Sequence, residues 1–141
     1  MDAHLPILKS ITDLIVCESI FEYGLGGNYK TSYISDKFQE VTAVDMRDEI
    51  PENDNREKKY SCIVIDGHNA WEYINRSFSK TDVIITYDTE YPGYNWNMVK
   101  KPSHFTWLEI KTYNPWTSII TCDYELIRNL CGLYPNYQII C

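Results

Sequence analysis

The sequence predicts an α/β protein with a mostly parallel sheet, and three observations carry this prediction. Residues 60–66 and 81–88 are continuous runs of apolar, largely β-branched residues, which is typical of strands buried on both faces. Stretches with helical spacing of apolar residues separate the strands, which favours parallel pairing with helices on both faces of the sheet. Residues 105–111 and 116–122 flank a turn and predict an antiparallel hairpin at one edge.

Length, charge and composition limit the class of protein. A chain of 141 residues predicts a single domain, 1–141. The net charge of −7 makes nucleic acid a poor partner, because phosphate contacts need basic surfaces. No apolar run reaches the ~18–20 residues of a membrane span, and no secretory signal is recognisable. We expect a cytoplasmic protein with no membrane contact. The Tyr, Ile and Asn content resembles that of hyperthermophilic archaeal virus proteins, which would place the chain in the host cytoplasm.

The first part of the chain predicts a helix, a strand, a glycine turn, a second helix and a second strand. Residues 4–17 carry apolar side chains at helical spacing, with Pro6 in the first turn. The apolar pair Ile20 and Phe21 predicts a first strand. An amphipathic helix is predicted over 29–38, and a second strand over 41–44.

The rest of the chain predicts alternating elements joined by polar connections. A charged connection with room for one short helix is predicted at 46–59. The predicted strands are 60–66, 81–88, 105–111, 116–122 and an edge strand at 137–140. The predicted helices are 68–80, a short one at 94–101, and one that Asp123 caps, that runs through Leu130 and that Gly132 ends.

The glycine turn is the first candidate site. Gly24, Gly26 and Gly27 let the backbone turn tightly and approach a ligand, and an acid, Asp45, ends the next strand. An acid at that place can hold the hydroxyls of a ribose. The third glycine of a dinucleotide fingerprint is replaced by Tyr29, so a pyrophosphate loop is disfavoured. The pattern favours a nucleoside site, and the alternative is a turn whose glycines serve geometry alone.

The same stretch resembles motif I of the class I S-adenosylmethionine-dependent methyltransferases. Glu22 stands two residues before the first glycine, the glycine-rich turn follows, and Asp45 closes the second strand. The resemblance implies a Rossmann-like three-layer αβα sandwich. It also implies S-adenosyl-L-methionine over the turn, Asp45 on its ribose and Glu22 near its methionine amine.

Two aspartates end the two strongest predicted strands and form the second candidate site. Asp66 and Asp88 each follow an apolar run directly. A buried unpaired carboxylate is costly, so each must face a cleft, a helix N-terminus or a cation. Either residue could instead cap the turn that follows it.

The segments IVIDGHNAWEYI and DVIITYDTEYPGYNW resemble the corresponding parts of small O-methyltransferases and of sugar-modifying methyltransferases. The resemblance implies Asp66, His68 and Asp88 as catalytic residues, with Asp66 and Asp88 as ligands of a divalent cation such as Mg²⁺. The family's Asn after the second strand is Thr89 here, a weaker ligand. His68 stands one residue earlier than the family's histidine, and it is a base, a ligand or a helix-start residue.

The chain is short for this family, and two alignments are open. If 60–66 is the family's fourth strand, one αβ unit is missing; otherwise 60–66 is the third strand and Asp88 ends the fourth. The order of the motifs favours a sheet trimmed by one αβ unit. Trimming would leave the adenine pocket open for a second copy of the chain to complete, as a homodimer.

The resemblance implies an enzyme that transfers a methyl group from S-adenosyl-L-methionine to a hydroxyl of a small molecule, a sugar or a protein. The alternative is a catalytically inactive nucleotide-binding or assembly protein that retains the fold, because fold alone does not establish chemistry.

Overall fold

The computed structural model describes residues 3–24, 30–45, 58–67 and 69–140. Its helices are α1 (Leu5–Leu14), α2 (Ala70–Ser77) and α3 (Tyr124–Leu133). Its strands are β1 (Ser19–Gly24), β2 (Glu40–Asp45), β3 (Cys62–Asp66), β4 (Val83–Tyr87), β5 (Thr106–Ile110), β6 (Thr117–Thr121) and β7 (Tyr137–Ile140). The predicted short helix at 46–59 falls almost wholly outside the described residues. No helix in the described ranges is both long and apolar enough to cross a membrane.

The seven strands form one sheet in the order β2-β1-β3-β4-β6-β5-β7. Strands β1 to β4 pair in parallel, whereas β6 is antiparallel to both β4 and β5, and β7 is antiparallel to β5. Strand β5 therefore runs in the same direction as β4. The predicted α/β class, the mostly parallel sheet and the antiparallel hairpin are confirmed.

The central strands are buried because their sequences are continuously apolar. The first four residues of β3 and all five of β4 are buried. Alternate β3 residues belong to two apolar clusters, because successive side chains of a strand point to opposite faces. Val64 lies in a cluster with residues of α1 and α3, and Ile65 lies in a cluster with residues of α2.

Two predicted helices are wrong. The segment predicted as a helix over 29–38 contains two 3-10 helices, Lys30–Tyr33 and Ser35–Lys37. The hydroxyl of Ser35 donates to the carbonyl of Ser32, and that of Thr31 donates to Glu22 of β1, and such side-chain bonds compete with a continuous α-helix. The segment predicted as a helix over 94–101 contains two 3-10 turns, Pro92–Tyr94 and Trp96–Met98, which Asn95 separates in a left-handed conformation.

The predicted Asp123 cap of the helix after β6 is confirmed, whereas the predicted end at Gly132 is wrong, because α3 continues through Gly132 to Leu133 and ends at Tyr134. The Asp123 side chain accepts a hydrogen bond from the backbone N–H of Leu126, at 3.1 Å, and so caps α3. The turn between β5 and β6 contains a cis peptide bond before Pro115. Strand β7 adds an outer antiparallel partner to β5, as predicted for an edge strand.

A buried hydroxyl joins the starts of β3 and β4. Thr81 is fully buried, its hydroxyl donates to the carbonyl of Tyr60 at 2.9 Å, and it accepts from the N–H of Val83 at 3.1 Å. Tyr60 and Thr81 also form an isolated parallel bridge. The Tyr60 carbonyl and the Val83 N–H are out of contact with water, so the Thr81 hydroxyl supplies the hydrogen bonds that water would otherwise make.

We expect Thr81→Val to lower the free energy of unfolding by about 1–3 kcal/mol, because valine keeps the shape of the side chain and removes both hydrogen bonds. Urea unfolding followed by circular dichroism measures this change. The control is Thr112→Val, the same substitution at an exposed position, for which we expect a change within about 0.5 kcal/mol. Equal stabilities of the two variants would contradict the role given to this hydroxyl.

Candidate functional site

Three predicted site residues lie in one row at the carboxyl ends of adjacent parallel strands. Gly24 of β1 is in register with Asp45 of β2 on one side and with Asp66 of β3 on the other. Adjacent strands are about 4.8 Å apart, so the Cα atoms of the two aspartates are about 10 Å apart across the glycine. The chain moves from β1 to β2 on one side and then places β3 on the other, which makes this the switch point of the sheet. Ligands of open α/β sheets bind in the crevice outside such a point.

Glu22 is fully buried and is held by Thr31. Its Oε1 accepts a hydrogen bond from the Thr31 backbone N–H, at 3.0 Å, and another from the Thr31 hydroxyl, at 2.7 Å. These bonds fix the segment that follows the glycine turn against β1. Gly26, Gly27 and His68 lie outside the described residues.

Asp88 follows β4 in a strained backbone conformation and contacts a histidine from the N-terminus of the chain. Its φ is 63°, a left-handed value that is uncommon for residues other than glycine, asparagine and aspartate. Its carboxylate Oδ1 is 3.4 Å from Nε2 of His4. His4 is 5 % exposed, its Nδ1 is 2.6 Å from the hydroxyl of Thr117, and its ring stacks on Tyr87 with 4.1 Å between centroids. Asp88 is thus held by a residue 84 positions away in the chain.

The loop after β4 is also attached to the start of β6. The backbone N–H of Asp88 donates to the carbonyl of Trp116 at 2.8 Å. The Trp116 N–H in turn donates to the carboxylate of Glu90, at 3.0 Å and 3.2 Å from its two oxygens. Together with His4, these bonds determine where the Asp88 carboxylate can lie.

Neither predicted strand-end aspartate caps a helix in the described part of the chain. The N-cap residue of α2 is Asn69, and its side chain makes no capping hydrogen bond. Asp66 is therefore not the residue that caps α2. The Asp88 carbonyl accepts from the backbone N–H of Tyr91, which closes a turn through the main chain and leaves the carboxylate to His4.

Tyr94 brings the two strand-end aspartates into one electrostatic environment. Partial burial raises the pKa of the Tyr94 phenol, and the negative charge of Asp88 raises it further, with smaller effects from Tyr91, Asp66 and Glu90. The Tyr94 ring lies between Tyr91, at 5.6 Å, and Trp96, at 5.9 Å, so three aromatic rings extend from this site.

The described residues do not supply a full ligand set for a divalent cation. No three His, Cys, Asp or Glu side chains within 3–24, 30–45, 58–67 and 69–140 are close enough together to share an ion. Thr89, which replaces the family's asparagine, is buried, and its Oγ1 accepts a hydrogen bond from Ser118 at 3.0 Å. This hydroxyl is already used within the fold. Metal binding by Asp66 and Asp88 stays a prediction.

Sequence reasoning missed His4, Thr31, Glu90 and Thr117 as residues of the site. His4 and Thr117 are 113 positions apart, and no local spacing indicates that they meet. Thr31 lies inside a segment predicted as an ordinary helix. The one available signal was the polar character of His4 at the start of an otherwise apolar helical stripe.

Comparison of the chain with protein-family models and with curated proteins found no match to either.

We expect the Tyr94 phenol to titrate above the ordinary tyrosine value of about 10. The substitution Asp88→Asn should lower this pKa partway, because it removes the larger of the charge effects while burial remains. Asparagine also tolerates the left-handed backbone of residue 88. The measurement is a pH titration of ¹³C-labelled tyrosine by NMR, with the Tyr94 resonance assigned by Tyr94→Phe.

Asp36→Asn is the control, since Asp36 is exposed on the 3-10 helix Ser35–Lys37. A Tyr94 pKa that is the same in wild type, in Asp88→Asn and in the control would show that Asp88 and Tyr94 are not neighbours in solution.

Proposed function

We propose that the protein is an S-adenosylmethionine-dependent methyltransferase of the class I type that acts on a hydroxyl of a small molecule, a sugar or a protein. One observation carries the proposal: Gly24 lies at the switch point of the sheet between Asp45 and Asp66. This arrangement fits the resemblance of the Glu22 to Asp45 stretch to motif I. An acid at the end of β2 is where a ribose diol is held in nucleoside-binding α/β folds.

The strand order supports the trimmed-sheet alignment. In the doubly wound order 3-2-1-4-5-6, the strand next to strand 1 on the side away from strand 2 is the fourth. Strand β3 occupies that place, and among the described residues no strand pairs with the outer edge of β2. We therefore propose a Rossmann-like αβα arrangement that lacks one αβ unit. The two separate apolar clusters, one with α1 and α3 and one with α2, support its layered character.

S-adenosyl-L-methionine supplies an electrophilic methyl group on a sulfonium, and the protein supplies position and proton acceptance. Asp45 would bind the ribose, and Gly24 would let the backbone approach the nucleoside. Asp88, oriented by His4 and adjacent to Tyr94, would accept or orient the hydroxyl proton of the acceptor, with Asp66 beside it. His68 remains a further candidate for this role.

A second function is favoured by the contacts that two of the candidate groups make within the fold. The Glu22 carboxylate accepts from Thr31, and the Asp88 carboxylate contacts His4. A protein that retains the fold for nucleotide binding or assembly, without methyl transfer, would use these groups for structure alone.

The exposed outer strand favours a homodimer as part of this proposal. Strand β2 is the most exposed strand of the parallel half, and Val41 on it is 40 % exposed. A second copy of the chain packed beside β2 would cover the region that the missing αβ unit covers in longer proteins.

Calorimetric titration with S-adenosylmethionine and with S-adenosylhomocysteine tests the proposed function. We expect a dissociation constant in the micromolar range for both. Asp45→Ala should abolish binding, because the ribose hydroxyls lose their acceptor. Glu40→Ala is the matched control at the other end of β2, and we expect it to bind like wild type. Circular dichroism verifies that both variants are folded.

Absence of binding to wild type would favour the second function, and unchanged affinity of Asp45→Ala would refute the assignment of the ribose site. Repeating the titration with Mg²⁺ tests the metal prediction separately. A tighter dissociation constant in Mg²⁺ that Asp66→Asn removes would make Asp66 a metal ligand.

A further inference from the structure

The connection from β4 to β5 leaves a cavity at the antiparallel half of the sheet. Residues 88–105 form this connection with two 3-10 turns and no α-helix. The cavity has a volume of about 560 Å³. Its lining includes Trp96, Val99 and Lys100 from the connection, Trp107 and Glu109 from β5, and Ile140 from β7.

Glu109 is a buried acid that lines this cavity. The residue is 6 % exposed, and it is in register with Ser118 of β6 and Gln138 of β7. Within the described residues, no group donates a hydrogen bond to its carboxylate and no lysine or arginine lies at ion-pair distance. The Glu109 carboxylate opens on the cavity, where water solvates it less fully than at the protein surface, and it therefore gains from a cation that enters. The cavity therefore presents a negative group that lacks a partner within the fold.

Two tryptophan rings form perpendicular walls beside this acid. The rings of Trp96 and Trp107 are 6.3 Å apart between centroids, with planes at 81°. Their indole nitrogens are buried and have no acceptor in the described ranges, so the rings meet the cavity through carbon atoms. The face of an indole ring attracts cations, and recognition of organic ammonium groups by aromatic cages uses this attraction.

Neither lysine of the lining forms an ion pair with Glu109. The Lys101 ammonium donates to the carbonyl of Phe105 at 2.7 Å, and Lys100 is exposed. The remaining lining is apolar at Val99 and Ile140 and uncharged polar at Thr89 and Asn97. A carboxylate, two aromatic walls and apolar side chains suit a cation with a carbon skeleton.

We propose that this cavity binds an organic ammonium group, with Glu109 as its counter-charge and Trp96 and Trp107 as its aromatic walls. The proposal rests on the cavity alone and requires neither S-adenosylmethionine nor the site at the switch point. A ligand that entered here would lie next to Thr89, one residue after Asp88.

The test uses two probes of the same shape, choline and its neutral isostere 3,3-dimethylbutan-1-ol. Binding is measured by chemical-shift titration of the indole N–H resonances of Trp96 and Trp107. We expect choline to bind at least about tenfold more tightly than the alcohol, because only the cation gains from the carboxylate and the ring faces. Equal affinities, or no binding of choline, would overturn the proposal.

Three variants identify the site. Glu109→Gln keeps the shape of the side chain and should remove the preference for the cation, and Trp96→Leu should weaken choline binding about tenfold. Glu125→Gln changes the same charge on the exposed start of α3 and should bind like wild type. Retention of the preference in Glu109→Gln would overturn the proposal. The proposal would also be overturned if Lys100→Ala bound choline and wild type did not, because Lys100 would then be the partner of Glu109.

Discussion

The pairing of β3 with β1, on the side away from β2, is the constraint on which the rest of the structure depends. It places β3 between β1 and β4, where its continuous apolar run can be buried on both faces. It also creates the switch point, because β2 lies on one side of β1 and the next strand along the chain, β3, lies on the other side. Gly24, Asp45 and Asp66 meet there because the register of both neighbours aligns the ends of the three strands. A β3 paired outside β2 would have left Asp45 in the middle of the row and no crevice at Gly24.

The candidate site is held in place by contacts from parts of the chain that are distant in sequence. His4 precedes α1 and meets Asp88 after β4, while Trp116 before β6 binds the same loop through Asp88 and Glu90. A carboxylate with so many neighbours loses little freedom when it engages a ligand, which is the advantage of a preorganised site. The same contacts connect the site to the antiparallel half of the sheet. A change at the β5–β6 turn would therefore reach Asp88 through Trp116.

The fold was predictable where sequence patterns are local, and the site only in part. Strands β3 and β4 are evident as unbroken apolar runs, and Asp123 as a cap, because burial and capping both depend on adjacent residues. The helix predicted over 29–38 was wrong because the prediction relied on amphipathic spacing. The segment has many hydroxyl and acidic side chains, which favour tight turns over an α-helix. The contacts of His4 and the cavity beside Glu109 could not be predicted, since both depend on what the folded chain places beside these residues. Glu109 is one acid in an alternating strand until the cavity that it lines is known.

The division of the sheet into a parallel and an antiparallel half has a consequence for the order of folding. Strands β5, β6 and β7 with α3 come from one continuous stretch, 106–140, and the β5–β6 hairpin closes a short loop, from Ile110 to Thr117. The pairing of β1 with β3 joins residues 42 positions apart, Ile20 with Cys62, and costs more loop-closure entropy before any contact is gained. The β5–β6 hairpin can thus form first and offer the edge of β6 to β4. Helix α1 packs on α3, and the contact of His4 with Asp88 joins residues 84 positions apart, so it carries a still larger loop-closure cost.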